Sequence, residues 1–445
     1  MQDFVHLHVH TYYSILDGQS PIKKLVTKAI DNGMRGMAIT DHGDMFGIKE
    51  FFDICNDVNS KRKKDGLDPF KPIFGCEMYV ARRGMAKKDQ QHIDRGGWHL
   101  IVLAKNMKGY RNLIKLVSNS WVDGFYGRPR TDHADLEKYH EGLIVCSACI
   151  AGEVPSLILK GDIEGARKAI EWHKSVWGDD YYLELQRHEV KDPNQRANRE
   201  TFPLQQKANK VLIELAREYG VKLICTNDAH FVDEENAEAH DHLLCISTGK
   251  DLDDPSRMLY SKQEWFKTRE EMNEIFSDIP EALANTAEIL DKVETYNIES
   301  DPIMPFFPIP EEFGTEEEWR GRFSEDDLFR EFTSDENGAN PLPQEDAQKK
   351  IKKLGGYDKL YRIKFEADYL GKLAYEGASR LYGTGYEEIP YAKALQPDEL
   401  SEWANGHGIS KEVDERVRFE LHIMKTMGFP GYFLIVQDFI NSARK

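Results

Sequence analysis

A chain of 445 residues with a net charge of −18 is long enough for about two or three cored domains and too acidic as a whole for nonspecific attraction to nucleic acid. Its six cysteines, at 55, 76, 146, 149, 225 and 245, are scattered through apolar strand-like segments and exclude a disulfide framework. No apolar run approaches the roughly 20 residues of a membrane span, and Met1-Gln-Asp-Phe-Val lacks a signal peptide's basic-then-apolar pattern, so a cytoplasmic protein is expected.

The first predicted element is a strand at Phe4-Val-His-Leu-His-Val-His10, closed by a turn at Asp17-Gly18. Alternation puts His6, His8 and His10 on one face, and a His-x-His pair at a strand end most often shares a metal ion. Asp17 offers an oxygen ligand nearby. Ser20-Pro21 then starts a helix striped by Ile22, Leu25, Val26, Ala29 and Ile30 and stopped by Gly33. A second strand, residues 36 to 40, ends in Asp41-His42-Gly43, and a helix from Ile48 to Arg62 leads to a third at 72 to 80. Glu77 sits inside that apolar run and needs a partner. Further strands are predicted at 98–104, 142–149, 181–185 and 222–230, separated mostly by helical patterns. Cys146-Ser-Ala-Cys149 has redox spacing but does not open a helix after a thioredoxin-like strand.

Seven short strands alternating with helices indicate parallel β/α units able to close into a TIM-like barrel with one strand missing. Polar groups fall at or near the strand ends, where such barrels place chemistry, with His99, early on its strand, the one exception. The candidates are His8, His10, Asp17, His42, Glu77, His99, Cys149, Asp228 and His230. Nine such groups exceed one metal, and imidazole, thiolate and carboxylate together favour Zn, Mn or Fe over Mg or Ca. For any single residue the alternative is an ordinary hydrogen-bonded polar group on the rim.

After about residue 270 the pattern changes. A helical connector is expected at 271–300, an acidic Pro/Glu-rich linker or excursion with little core at 301–345, and helical patterning again from 346 to 445, closing on the apolar stretch Met427 to Ile440.

Leu7-His-Val-His-Thr11, Ile39-Thr-Asp-His-Gly43, Gly75-Cys-Glu77, His99-Leu-Ile-Val-Leu-Ala104, Ser147-Ala-Cys149 and Thr226-Asn-Asp-Ala-His230 resemble the motifs of the polymerase and histidinol phosphatase (PHP) family. Ser14-Ile-Leu-Asp-Gly18, Gly124-Phe-Tyr-Gly-Arg-Pro-Arg130, Asp278-Ile-Pro-Glu-Ala-Leu-Ala-Asn-Thr286 and Met427-Gly-Phe-Pro-Gly-Tyr-Phe-Leu-Ile-Val436 resemble one branch of it, the amino-terminal part of bacterial replicative DNA polymerase III alpha subunits. The likeness is weakest between about 301 and 410. It implies an α/β fold: a distorted seven-stranded barrel over residues 1–270, then a mostly helical α+β segment that begins the polymerase core, with 346–445 leading into the palm.

The resemblance further implies two to three metal ions: His8, His10, Glu77 and Asp228 around one, Glu77, His99 and Cys149 around a second, Asp17, His42 and His230 around a third. Glu77, Asp228 and His10 would act closest to the chemistry, through a metal-activated water. Arg130 and Arg187 are candidates for phosphate oxygens, a plain surface arginine being the alternative. The glycine-rich run and paired aspartates that would bind the polymerase's Mg²⁺ do not follow Ile440, so the stretch reads as part of a longer protein.

The expected activity is metal-dependent phosphodiester hydrolysis, a 3′ to 5′ exonuclease editing a DNA primer end. The alternative is a non-catalytic scaffold that supports the polymerase and docks a separate exonuclease subunit. Other replisome subunits, the sliding clamp among them, are the implied partners. A stand-alone phosphatase is disfavoured by the long extension.

Overall fold

Short apolar runs between helices form one curled mixed sheet of seven strands: β1 (Gly36–Ile39), β2 (Lys71–Val80), β3 (Trp98–Ala104), β4 (Arg130–Thr131), β5 (Leu143–Cys146), β6 (Tyr181–Leu185) and β7 (Lys222–Cys225). Their order is β1-β2-β3-β5-β6-β7, with β4 paired to β2. In this computed structural model residues 1–190, 200–300, 303, 305–389 and 397–444 are described, and the chain divides into two units, Met1–Glu299 and Ser300–Lys445. Every residue of β1, β5 and β6 is buried, the mark of strands covered on both faces. The helix Ile22–Asp31 buries Ile22, Leu25, Val26 and Ala29, the stripe its spacing predicts.

Two features depart from an all-parallel barrel. β3 runs antiparallel to both β2 and β5, while the other neighbouring pairs are parallel. The 81–97 connection holds only one short helix, Gln91–Asp94, and makes no crossover, so the chain re-enters the sheet from the end at which it left. The predicted first strand is instead an extended segment that shares its hydrogen bonds between two neighbours. His6 O and Val9 O accept from Ala38 N and Thr40 N, each at 2.8 Å, on one side. On the other side His10 N donates to Ala229 O at 2.7 Å and Ala229 N to His8 O at 3.2 Å. The segment thereby joins the two edges of the sheet and carries His8 and His10 between them. The two-residue β4 takes the seventh place in the sheet.

The strands expected to run to Cys149 and His230 stop at Cys146 and Cys225. Beyond each, one non-glycine residue turns the backbone left-handed, Ala148 (φ 60°) and Asp228 (φ 48°), and Leu16 (φ 61°) does the same before Asp17. Such conformations cost energy and cluster at functional sites.

The helix Pro280–Lys292, expected in a separate connector, packs Ala282, Leu283, Ile289 and Leu290 into the core of the first unit. The regular elements among the described residues of the second unit are all helices. The stretch expected as a coreless linker buries Phe313, Trp319, Leu328 and Phe332. Its acidic clusters are the first turns of two helices, Glu316–Arg322 and Glu325–Thr333, capped by Thr315 and Ser324. Carboxylates there complement the helix dipole, which is why composition alone reads as linker. Among the described residues no helix is long and apolar enough to cross a membrane.

Candidate metal centre

All nine predicted residues gather at one end of the curled sheet. His8 is fully buried, and its Nδ1 lies 2.8 Å from Glu184 Oε1. A carboxylate only accepts, so Nδ1 carries the proton and Nε2 presents a lone pair. Glu184 is itself fixed by Thr226 Oγ1 at 2.5 Å and Gln186 Nε2 at 3.1 Å. His10 is oriented by a different device. Its Nδ1 meets Ser14 Oγ at 2.9 Å, and that hydroxyl donates onward to Asp41 Oδ1 at 2.7 Å, so the ring again holds its proton away from the centre. Asp41, whose carboxylate also accepts from Thr11 N and Thr11 Oγ1, is committed behind the centre.

The two Nε2 atoms converge on one oxygen, Asp228 Oδ1, at 3.0 Å from His8 and 3.2 Å from His10. All three atoms are buried without a hydrogen-bond partner among the described residues. Lone pairs facing lone pairs in a buried site are costly unless a cation lies between them. The donor set therefore fits a metal ion.

Glu77 is the hub. Its Oε1 lies 2.7 Å from His99 Nδ1 and 3.3 Å from His8 Nε2, and its Oε2 lies 2.5 Å from His42 Nδ1 and 3.7 Å from His10 Nε2. His99 Nδ1 is also 3.7 Å from Cys149 Sγ, giving a second convergent group of Glu77, His99 and Cys149. A third is His10, His42 and His230, with Asp17 beside it, 3.0 Å from His42 Nε2 and 3.9 Å from His230 Nε2. Each set implied for an ion is thus brought together, the third with His10 as an added neighbour.

The electrostatics follow from this crowding. Burial works against a charge on His8, yet Asp228 and Glu184 raise its pKa well above the usual imidazole value, so a proton and a metal ion compete for the Nε2 lone pair. Burial would lift the Glu77 carboxyl, but His99 and His42 hold it well below the usual range. Asp228 is lowered likewise, by His8 and His230 against burial. Burial, with Asp228 and Glu77 adding to it, pushes the Cys149 thiol well up, so a thiolate there requires a cation alongside.

The two candidate phosphate arginines are occupied elsewhere. Arg130 is fully buried and donates to four backbone carbonyls, Gly124 and Met85 at 2.9 and 2.8 Å and Lys87 and Asp94 at 3.2 and 2.7 Å. Arg187 makes a forked pair with Asp278 at 2.6 and 2.8 Å. His6, although in register with His8 and His10, packs on Phe266 and reaches Lys267 O, where burial lowers it to about 3.

Sequence reasoning does not reach several groups. Tyr260 OH lies 3.3 Å from Asp17 Oδ2 and 3.2 Å from His230 Nε2, and His240 Nε2 lies 2.8 Å from Asp17 O. Neither carries a spacing signal. Glu184 stands in an otherwise apolar strand, the signal that singles out Glu77. A separate cluster sits behind the centre: Glu153 Oε2 lies 3.0 Å from His133 Nε2 and 3.3 Å from His173 Nε2. Against burial, those two rings lower the Glu153 carboxyl to about 2.

Residues 6–188 match the model of the PHP domain, and residues 368–445 match the bacterial DNA polymerase III alpha NTPase domain. The chain is 37 % identical over 442 residues to the DNA polymerase III subunit alpha of Borreliella burgdorferi, covering 99 % of this chain and 30 % of that protein. It is 31 % identical over 444 residues to the protein of the same name from Treponema pallidum, again covering 99 % and 30 %. This chain therefore spans about a third of the length of these relatives. Among solved structures, a histidinol phosphate phosphatase from Lactococcus lactis, complexed with zinc, L-histidinol and phosphate, is 13 % identical with a TM-score of 0.26, covering 56 % of this chain and 95 % of that one.

Proposed function

We propose that this chain, which carries a PHP domain and is related along 99 % of its length to DNA polymerase III alpha subunits, uses its first unit as a multi-metal phosphodiesterase that removes nucleotides from a DNA 3′ end. The observation that carries this is the convergence of His8 Nε2, His10 Nε2 and Asp228 Oδ1, three buried acceptors that no donor among the described residues satisfies. His8, His10, Glu77 and Asp228 would hold one ion, Glu77, His99 and Cys149 a second, and Asp17, His42 and His230 a third. Imidazole and thiolate donors favour Zn, Mn or Fe over strongly hydrated Mg²⁺. Bound there, the metals would polarise the phosphoryl oxygens and make a neighbouring water acidic enough to attack phosphorus at neutral pH.

The chain's own groups keep that arrangement in place. Glu184 and the Ser14–Asp41 relay hold His8 and His10 in the tautomers that face inward. Tyr260, which burial keeps protonated, offers an O–H between Asp17 and His230 at the rim. By kinship with proteins named DNA polymerase III subunit alpha, we assign a primer strand as the substrate, polymerisation to the longer protein, and a sliding clamp and a separate exonuclease subunit as partners. The test pairs metal analysis with degradation of a 3′-mismatched primer. Wild type should degrade it better with Mn²⁺ or Zn²⁺ than with Mg²⁺. His10→Ala and Asp228→Ala should each lose about a thousandfold in rate, the scale of a lost metal-activated water. Equal degradation by all three proteins, or none by any, leaves a scaffold that docks another exonuclease.

A further inference from the structure

The loops at the mouth of the centre hold side chains that neither the metals nor the core use. Trp121 and Phe125 stack at 5.6 Å with an interplanar angle of 17°, and both are more than 40 % exposed. Trp121 is moored to the centre itself: its indole Nε1 donates to Gly43 O at 2.8 Å, one residue from His42. Beside the pair, the Arg128 guanidinium lies 5.6 Å over the Tyr79 ring, and Tyr79 meets His99 edge-on at 5.1 Å. Arg128 is exposed and forms no ion pair among the described residues. The neighbouring 81–97 loop, in a chain of net charge −18, exposes Arg82, Lys87, Lys88 and Arg95. Arg130 binds the two loops together through its four carbonyls, so the aromatic and basic groups are presented by one fixed surface.

Resting on the phosphodiesterase assignment above, we propose that this surface is the docking path for a single-stranded DNA end, with an unpaired base stacked on Trp121 and Phe125 and Arg128 on the adjoining phosphate. Exposed stacked rings beside cations that carry no ion pair among the described residues are the pairing that single strands require, because every base has a π-face and every linkage a charge. A duplex keeps its bases stacked inside and offers nothing to the rings.

The test is fluorescence anisotropy of a labelled oligothymidylate of about ten nucleotides, its 3′ linkages made phosphorothioate so that it survives the assay, with the metal-loaded protein. Phe125→Ala should weaken binding about tenfold, and Arg128→Gln should weaken it and reduce the salt dependence by about one phosphate contact. Circular dichroism confirms that both variants fold. The blunt duplex of the same sequence should bind more weakly than the single strand. Equal affinity in wild type and both variants, or a duplex bound as tightly, overturns the proposal. Hydrolysis of a small chromogenic diester by the wild-type protein reads the metal centre separately. A protein that binds the strand through these residues but cleaves no diester keeps the docking path and loses only the phosphodiesterase.

Discussion

His99 Nδ1 lies 2.7 Å from Glu77 Oε1 because β3 runs against β2. In the antiparallel register Glu77 faces Ile101 and Tyr79 faces His99, so the start of β3 lies beside the end of β2. The position of His99, early on its strand, is thus no exception: reversing one strand brings its first residues to the end where the parallel strands finish. Glu77 is left facing four imidazole rings at once.

Glu77→Ala should therefore lower metal content more than alanine at any of the other eight positions, because both carboxylate oxygens face imidazoles assigned to different ions. Elemental analysis after reconstitution with Zn²⁺ or Mn²⁺ is the measurement. A full complement retained by the variant would show that Glu77 does not bridge.

Glu184→Gln tests a residue that never meets a metal in this arrangement. The amide can still accept from His8 Nδ1, but it removes the negative charge that makes the ring a stronger ligand. Metal affinity should fall about 10- to 100-fold, the usual penalty for losing such a partner. Competition with a chromophoric chelator measures it, and unchanged affinity would mean that the Glu184 charge does no tuning.

The two arginines should separate in a urea titration. Arg130→Met strips four carbonyls of a buried cation and should cost on the order of 3 kcal/mol or more, since charge-assisted hydrogen bonds are each worth about 1.5–3 kcal/mol. Arg187→Met breaks a pair whose acid, Asp278, is largely exposed, and should cost at most about 1 kcal/mol. Similar midpoints for the two variants would contradict the buried role of Arg130.

The contrast marks what the sequence can show. Ligands such as His8, His10, Glu77 and Asp228 are legible because polar residues at the ends of apolar runs have no local partner and must find a distant one. Ser14, Asp41, Tyr260 and His240 make their bonds across 27 to 243 residues of chain, and no spacing announces that. Arg130 and Arg128 stand two residues apart in one motif, yet one is buried among carbonyls and the other is exposed over Tyr79, a difference set only by how two loops meet. Strand direction is hidden for the same reason. An apolar run reads alike from either end, so the reversal of β3 shows only in the lack of a crossover helix between 81 and 97.

Lys267 supplies a pH prediction clear of the metal ligands. Its side chain is buried, with Nζ 2.5 Å from Gln263 O and 3.2 Å from the centre of the Trp265 ring. Burial outweighs the opposing pull of Glu264 and Glu271 and lowers its pKa from 10.5 to about 7. Between about pH 7 and the unfolded value near 10.4, the unfolded chain binds the proton that the folded one has released, so the stability of the wild type rises with pH across that window. Below about pH 7 the native state holds the charge and bears the full cost of burying it. Lys267→Met keeps the length and apolar body of the side chain and removes the titration. It should raise the stability at pH 6 by on the order of a few kcal/mol, a gain that shrinks steadily toward pH 10. Thermal melts at pH 6 and pH 9.5 decide the matter. A difference between variant and wild type that stays constant across that range would mean that the lysine remains charged when buried, held by the carbonyl of Gln263 and the face of Trp265.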